Sequence, residues 1–178
     1  MVPAQADPRQ ATLFGCSVAL GMVRSLAAAG AADIALFELA GGCGLLEPRH
    51  APRRPAGFPD QRGQVFPLFH VLADLRACAG GKLGCAEVED FPGLPAIWCT
   101  GSAERRLLIA NPGPETVLLR LPEVRCARTY RSLDETTVAA AMADPRLFRT
   151  PQALRVLGTS DLELPPWGYL CIIEEHPA

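Results

Sequence analysis

The sequence predicts an α+β protein in two blocks. Residues 1–81 read as a helix-strand-helix unit from the end of a β/α barrel or layer, and residues 82–178 as an antiparallel β-sandwich. Three observations predict this. Two segments with apolar residues at helical spacing flank a short apolar run, Asp33 to Gly42, that ends in a carboxylate and a glycine pair. From Leu83 onward, short apolar runs alternate with Pro- and Gly-rich turns, the signature of closely spaced strands. The change between the two patterns falls at the helix-stopping pair Gly80-Gly81.

The first helix is expected from about Gln10 to Ala29. Asp7 stands as a cap before Pro8, at a position where the missing proline donor costs nothing, and Gly30 supplies the stop. Phe14, Val18, Met22 and Leu26 repeat every four residues and form one stripe, which reads as a packing face. The run Ile34-Ala35-Leu36-Phe37-Glu38 then reads as a buried strand that delivers Glu38 to its C-terminal end. A Gly- and Pro-rich connection follows from Leu39 to about Val65. Its length marks it as a binding loop, a lid or a disordered segment, and it carries Glu47, Arg49, His50, Arg53 and Arg54. Phe66 to Ala79 returns to helical spacing with Leu68, Val71, Leu72 and Leu75 on one face.

In the second block, strands are expected at Cys85–Val88, Pro95–Thr100, Arg105–Ala110, Glu115–Leu121, Val124–Tyr130, Leu154–Val156 and Tyr169–Glu174. Asn111-Pro112-Gly113-Pro114 has turn chemistry, and a hairpin is expected around it. One short helix interrupts the strands from about Glu135 to Met142, capped by Asp134 and ended at Asp144-Pro145.

Composition narrows the function. The 178 residues are 49% apolar and 20% charged, enough to bury a core and too hydrophobic for a disordered chain. A net charge of -2, with its arginines scattered, argues against a nucleic-acid partner. The apolar stretch from Cys16 to Ala29 is broken by Ser17, Arg24 and Ser25, which argues against a membrane span. The first ten residues have neither a basic start nor an apolar core, so no signal peptide is expected and the default location is the cytoplasm. The seven cysteines, with no CxxC pair, read as buried free thiols. No cofactor is expected: Gly41-Gly42-Cys43-Gly44 runs into Pro48, where no helix could catch a phosphate, and the acids Glu87, Glu89 and Asp90 have no histidine beside them to complete a metal site.

One strand cannot make a parallel sheet, because its backbone groups need partners. The first block is therefore expected to dock on another chain or, preferably, to be the tail of a longer one. The residues carry a resemblance that fits the second option. Asp7-Pro8-Arg9-Gln10 before Leu13-Phe14-Gly15, Leu26-Ala27 with Gly30-Ala31, the strand ending in Glu38, Phe66 through Asp74, and Leu164-Pro165-Pro166 together resemble the C-terminal part of the D-apionate lactonase family. The resemblance implies the last helix-strand-helix of a glycoside-hydrolase-like TIM barrel followed by an accessory β-sandwich, and a sugar-acid lactone or carbohydrate as ligand. It also implies that the remainder of the barrel is a partner and that the chain alone is inactive. After the strand-end Glu the family has small polar residues and Gly-Trp-Arg-Gly; this chain has Leu39-Ala40-Gly41-Gly42-Cys43-Gly44.

Lactone hydrolysis needs a nucleophile, a base and donors for the developing oxyanion. Glu38 is the candidate base or hydroxyl-binding group. His50, Arg53 and Arg54 are candidates for holding a carboxylate product, since arginine presents a planar fork to carboxylates. The alternative function is a non-catalytic β-sandwich module that braces a barrel or binds carbohydrate through Trp98, Trp167 or Tyr169. All three aromatics lie beside apolar runs, which favours core packing for each.

Overall fold

The computed structural model describes residues 7–51, 61–122, 128–158 and 160–175. It is a mixed helix and sheet protein whose main sheet is antiparallel. After a 3-10 turn at Pro8–Ala11, helix α1 spans Leu13–Ala28. Asp7 accepts from the Arg9 N–H as the cap of that turn, and α1 closes at Gly30, whose φ of 81° lets the Ala31 N–H return to the Leu26 carbonyl. Strands β1 (Glu38–Ala40) and β2 (Gly44–Leu46) follow, then α2 (Leu68–Ala77).

The main sheet is built from β3 (Lys82–Cys85), β4 (Ala96–Thr100), β5 (Glu104–Ala110), β7 (Arg128–Leu133), β8 (Arg155–Val156) and β10 (Tyr169–Glu175). Their spatial order is β3-β4-β5-β10-β7-β8, with every pair antiparallel. A second, two-stranded sheet pairs β6 (Val117–Arg120) with β9 (Asp161–Leu164). Two short helices, α3 (Val138–Ala143) and α4 (Pro145–Phe148), meet at Asp144, which ends the first and caps the second by accepting from the Leu147 N–H.

Strand alternation sorts the main sheet into two faces. Ala96, Ile109, Leu170 and Ile172 turn toward Leu119, Leu162 and Leu164 of the small sheet. Ile97, Leu108, Cys171 and Ile173 turn the other way and pack under Leu13, Cys16, Leu20 and Val23 of α1 and Val71 of α2. The helices of the first sequence block and the sheet of the second thus share one core.

Three expectations change. The hairpin expected at Asn111-Pro112-Gly113-Pro114 does not form: β5 pairs with β4 and β10, while β6 crosses to the other sheet and pairs with β9. The Asn111 side chain directs that crossing by donating to the Glu115 and Pro165 carbonyls at 2.7 and 3.0 Å and accepting from the Gly113 N–H at 2.9 Å. The run Ile34–Phe37 is not a ladder strand buried on both faces; regular pairing begins at Glu38, because among the described residues only β2 lies beside it. And the stripe of Val18, Met22 and Leu26 is not a packing face in this chain. These residues are 41%, 39% and 39% exposed, since the sheet takes the Leu13, Cys16, Leu20, Val23 side of α1.

A buried ion cluster ties α2 to the sheet. The Asp74 Oδ1 accepts from Arg106, Arg131 and Arg149 at 2.7, 2.8 and 2.7 Å, and its Oδ2 accepts from the Tyr169 hydroxyl at 3.0 Å. Burial alone would raise the Asp74 carboxyl; the charges of Arg131, Arg149 and Arg106 overcome it and hold it below the ordinary carboxylate range. One turn earlier on α2, His70 is fully buried, with Nε2 3.1 Å from the Ala141 carbonyl and its ring edge-on to Phe148. This makes it a packing residue that ties α2 to α3. Burial lowers its pKa from 6.5 to about 4, against the partial support of the Ala141 carbonyl, with Arg149 and Arg131 lowering it further and Asp74 raising it.

Two outcomes follow for stability. Leu20→Ala should cost about 2–5 kcal/mol in urea denaturation, whereas Met22→Gln, on the uncovered side of the same helix, should change stability by no more than about 0.5 kcal/mol. His70 is held neutral in the fold and gains a proton more readily once unfolded. Its contribution is therefore complete above pH 6.5 and is lost as pH falls toward about 4, at about 1.4 kcal/mol per pH unit. Denaturation curves between pH 7 and 4 should show this slope in the native protein, and His70→Gln should flatten it.

Candidate functional site

Glu38 is the first residue of β1, and its side chain is exposed. Its neighbour Phe37 packs against Ala19, Phe66 and Leu68 at the base of the two helices. Leu36, on the other side of Phe37, packs against the core that α1 shares with the main sheet, so both residues before Glu38 are anchored while Glu38 itself reaches solvent. Leu39, 73% exposed, adds an uncovered apolar group beside it.

The glycine-rich segment fixes the Glu38 backbone. The Glu38 N–H donates to the Cys43 carbonyl at 3.0 Å, the Gly44 N–H to Gly41 at 3.0 Å, and the Gly41 N–H to Leu46 at 2.9 Å. Gly44 stands where a Cβ would lie 2.5–2.7 Å from the Ala40 backbone, so no other residue fits without moving the strand pair. The Gln10 side-chain amide donates to the Gly44 carbonyl at 2.7 Å and clamps this turn to the entrance of α1.

The long connection leaves from β2 through a paired neck. The Glu47 N–H donates to Gln64, the Gly63 N–H donates back to Glu47, and Leu46 bridges to Val65. Glu47 is buried in that neck, and His50 stands exposed in the turn closed by the Ala51 N–H on the Pro48 carbonyl. Arg53 and Arg54 lie outside the described residues. Glu38 therefore stands exposed in strand β1, and His50 stands exposed in the turn that follows β2.

The other sequence candidates have structural partners. Trp98 lies under the Arg105 guanidinium, 5.5 Å from its ring centroid, and Tyr169 is buried with its hydroxyl on Asp74. Burial pushes the thiols of Cys16, Cys99 and Cys171 well above their ordinary value, which removes their nucleophilic form. Among the described residues, no group of three or more His, Cys, Asp or Glu is arranged to hold a metal, and no helix is long and apolar enough to cross a membrane. The Asp74 cluster escaped sequence reasoning because its five members, Asp74, Arg106, Arg131, Arg149 and Tyr169, lie up to 95 residues apart. Its one local signal is a polar pair, His70 and Asp74, four apart beside the apolar face of α2.

The comparisons with known proteins bear on this frame. A model of the D-apionate lactonase TIM barrel domain matches residues 1–80. A monomeric beta-xylosidase from Caulobacter crescentus CB15 is similar in structure with a TM-score of 0.57 at 15% identity, over 97% of this chain and 43% of that one. That likeness shows the fold alone. An isomaltulose synthase mutant from Erwinia rhapontici NX5 in complex with D-glucose aligns over 62% of this chain and 17% of its own length, with a TM-score of 0.37 at 19% identity, too slight a likeness to argue from. No curated protein matches the chain. The chain spans less than half the length of the solved structures it resembles. The resemblance to the D-apionate lactonase family read from the sequence is thus shown, and it is carried by residues 1–80, which match the model of that family's TIM barrel domain.

Proposed function

We propose that this chain is the C-terminal portion of a sugar-acid lactone hydrolase. In this reading residues 1–81 complete a glycoside-hydrolase-like β/α barrel, residues 82–178 form an accessory β-sandwich that braces it, and Glu38 serves the active site. The observation that carries the proposal is Glu38 itself. In the segment that matches the family, it is an exposed carboxylate at the carboxyl end of the apolar run, the end of a strand at which barrel enzymes build their sites. The partly exposed stripe of Val18, Met22 and Leu26, with Leu39, agrees with it as apolar surface available to a partner. The remainder of the barrel is the partner that would cover them.

In the completed site Glu38 would act as base or hold a substrate hydroxyl. As base it takes a proton from water while the water oxygen attacks the lactone carbonyl. The ring C–O bond then breaks and its oxygen regains a proton, giving the hydroxy acid. His50, Arg53 and Arg54 would hold the carboxylate of that product. The ligand is a sugar lactone or related carbohydrate, with no resident cofactor and no part for nucleic acid or membrane. A cytoplasmic setting agrees with the free thiols of the described cysteines.

The isolated chain should not hydrolyse D-apionolactone or other aldonolactones. Turnover by it at about 1 per second or faster, the range of ordinary enzymes, would sink the proposal. Extending the chain by the β/α units encoded upstream in the same frame should confer activity, and Glu38→Gln in that longer protein should lower kcat by about 10²–10⁴-fold, as expected for loss of a general base.

A further inference from the structure

Two cysteines from different sequence blocks meet at the seam where the helices join the main sheet. Cys78 ends α2, and Cys99 lies in β4, between Leu83 of β3 and Arg106 of β5. Both are free thiols, and both are buried in the core that the helices share with the sheet, Cys78 at 6% exposure and Cys99 at 2%.

The backbone around them fixes their approach. The Gly81 N–H donates to the Cys78 carbonyl at 3.0 Å, and a Cβ on Gly81 would lie 3.1 Å from that oxygen and 1.7 Å from the Thr100 carbonyl oxygen. Only glycine lets the end of α2 and the end of β4 close on each other so tightly. A Cβ on Gly101 would stand 3.5 Å from the Cys78 Cα. Residues two apart along an extended segment point to the same face, so Cys99 projects on the side of β4 over which Cys78 lies. The two thiols are therefore direct neighbours. Burial pushes the Cys99 thiol up, and a side-chain hydrogen bond with Cys78 pushes it further.

We propose that Cys78 and Cys99 form a redox-sensitive dithiol, which hydrogen peroxide converts to a disulfide that staples the end of α2 to β4. Cys78 is the point of entry, since it is the more exposed of the two and the chain that follows it, Ala79 to Lys82, is exposed. Its sulfur attacks one peroxide oxygen and the O–O bond breaks. The departing hydroxide takes the proton of the Cys78 thiol and leaves as water, and Cys78 becomes a sulfenic acid. The Cys99 sulfur then attacks the Cys78 sulfur, the S–O bond breaks, and the hydroxyl leaves with the Cys99 proton as a second water. Two electrons pass from the sulfur pair to the peroxide, and no other reactant is needed. The loop so closed holds β3 and the Gly80-Gly81 junction between the two sequence blocks, a seam that in the dithiol form is held by non-covalent contacts alone. Glu38 has no part in this chemistry, so the dithiol stands or falls separately from the proposed hydrolase.

Exposing the whole chain to hydrogen peroxide, unfolding it with N-ethylmaleimide present to block the remaining thiols, and mapping the proteolytic peptides by mass spectrometry tests this. The peptide holding Cys78 should be joined to Cys99 and be two hydrogens lighter than the separate peptides, while Cys16 and Cys171 are recovered as blocked thiols. The oxidised chain should melt about 5–10 °C above the reduced one, and dithiothreitol should return it to the lower midpoint. Cys78→Ala and Cys99→Ala should each abolish that rise; if either fails to fold, the peptide map of the unaltered chain decides. Recovery of Cys78 and Cys99 as blocked thiols under exposure that oxidises the half-buried Cys43 overturns the proposal. So does oxidation of either to a sulfinic acid without a link, or a link that leaves the midpoint where it was.

Discussion

The buried carboxylate of Asp74 is the constraint around which the rest of the chain is arranged. An ionised carboxylate taken out of water is tolerated only when its oxygens are paired, and here three guanidinium groups and one hydroxyl do so. Those partners come from β5, β7, the residue following α4, and β10, so a single side chain on α2 holds four separate stretches of the second block. Three arginines around one aspartate leave surplus positive charge. Glu104 takes part of it through Arg106, and the Arg131 guanidinium lies 5.7 Å from the face of the Phe148 ring. Because such clusters often stabilise no more than a well-packed apolar core of the same volume, what Asp74 supplies is register. It admits one placement of α2 on the sheet, and α1 follows through their shared apolar cluster.

That coupling bears on how the two sequence blocks relate. Read by pattern alone they are separate units, a fragment of a β/α layer and a set of β-strands. In the folded chain α1 lies across the face of the main sheet, with Leu20 and Cys16 in the same core as Leu108 and Cys171. The sheet buries one side of α1 and leaves Val18, Met22 and Leu26 partly exposed on the other.

What the sequence disclosed and what it hid follow from the range of the interactions. Helices α1 and α2, the central strands β4, β5 and β10, and the stop of α3 at Asp144 were legible because apolar period and helix stops act within a few residues, whereas Asp134, expected as the cap, holds the turn at Thr136 and Thr137 ahead of a helix that starts only at Val138. The side of α1 that packs was misread, since Phe14, Val18, Met22, Leu26 and Leu13, Cys16, Leu20, Val23 are both acceptable apolar stripes and only the sheet chooses between them. Strand β9 was hidden because Asp161-Leu162-Glu163-Leu164 is short and its partners in β6, from Arg120 opposite Asp161 to Val117 opposite Leu164, lie 41 to 47 residues away. For the candidate site, Glu38 was legible as a carboxylate at the end of an apolar run, whereas the choice between a site and plain solvent exposure was not, because it depends on the neighbours that lie beside the strand.

The Asn111 turn shows how a misread local signal can still point to something built. Asn-Pro-Gly-Pro has the chemistry of a reversal, and in a simple hairpin it would join two paired strands. Here its amide is spent on Pro165 and Glu115, and its backbone on Gly168, which fixes the segment that carries Trp167. A left-handed tryptophan costs about 1–3 kcal/mol relative to a relaxed backbone, and several hydrogen bonds converge to hold it there. A glycine at position 167 would meet the same backbone demand without strain, so the strain is attached to the indole ring. That ring lies edge to face on Phe14 and against the main apolar core, and the turn that presents it is also held from α1, where the Ser17 hydroxyl donates to the Asn111 carbonyl at 3.0 Å. The first helix of the chain and the crossing between the two sheets therefore fix the same ring from both sides.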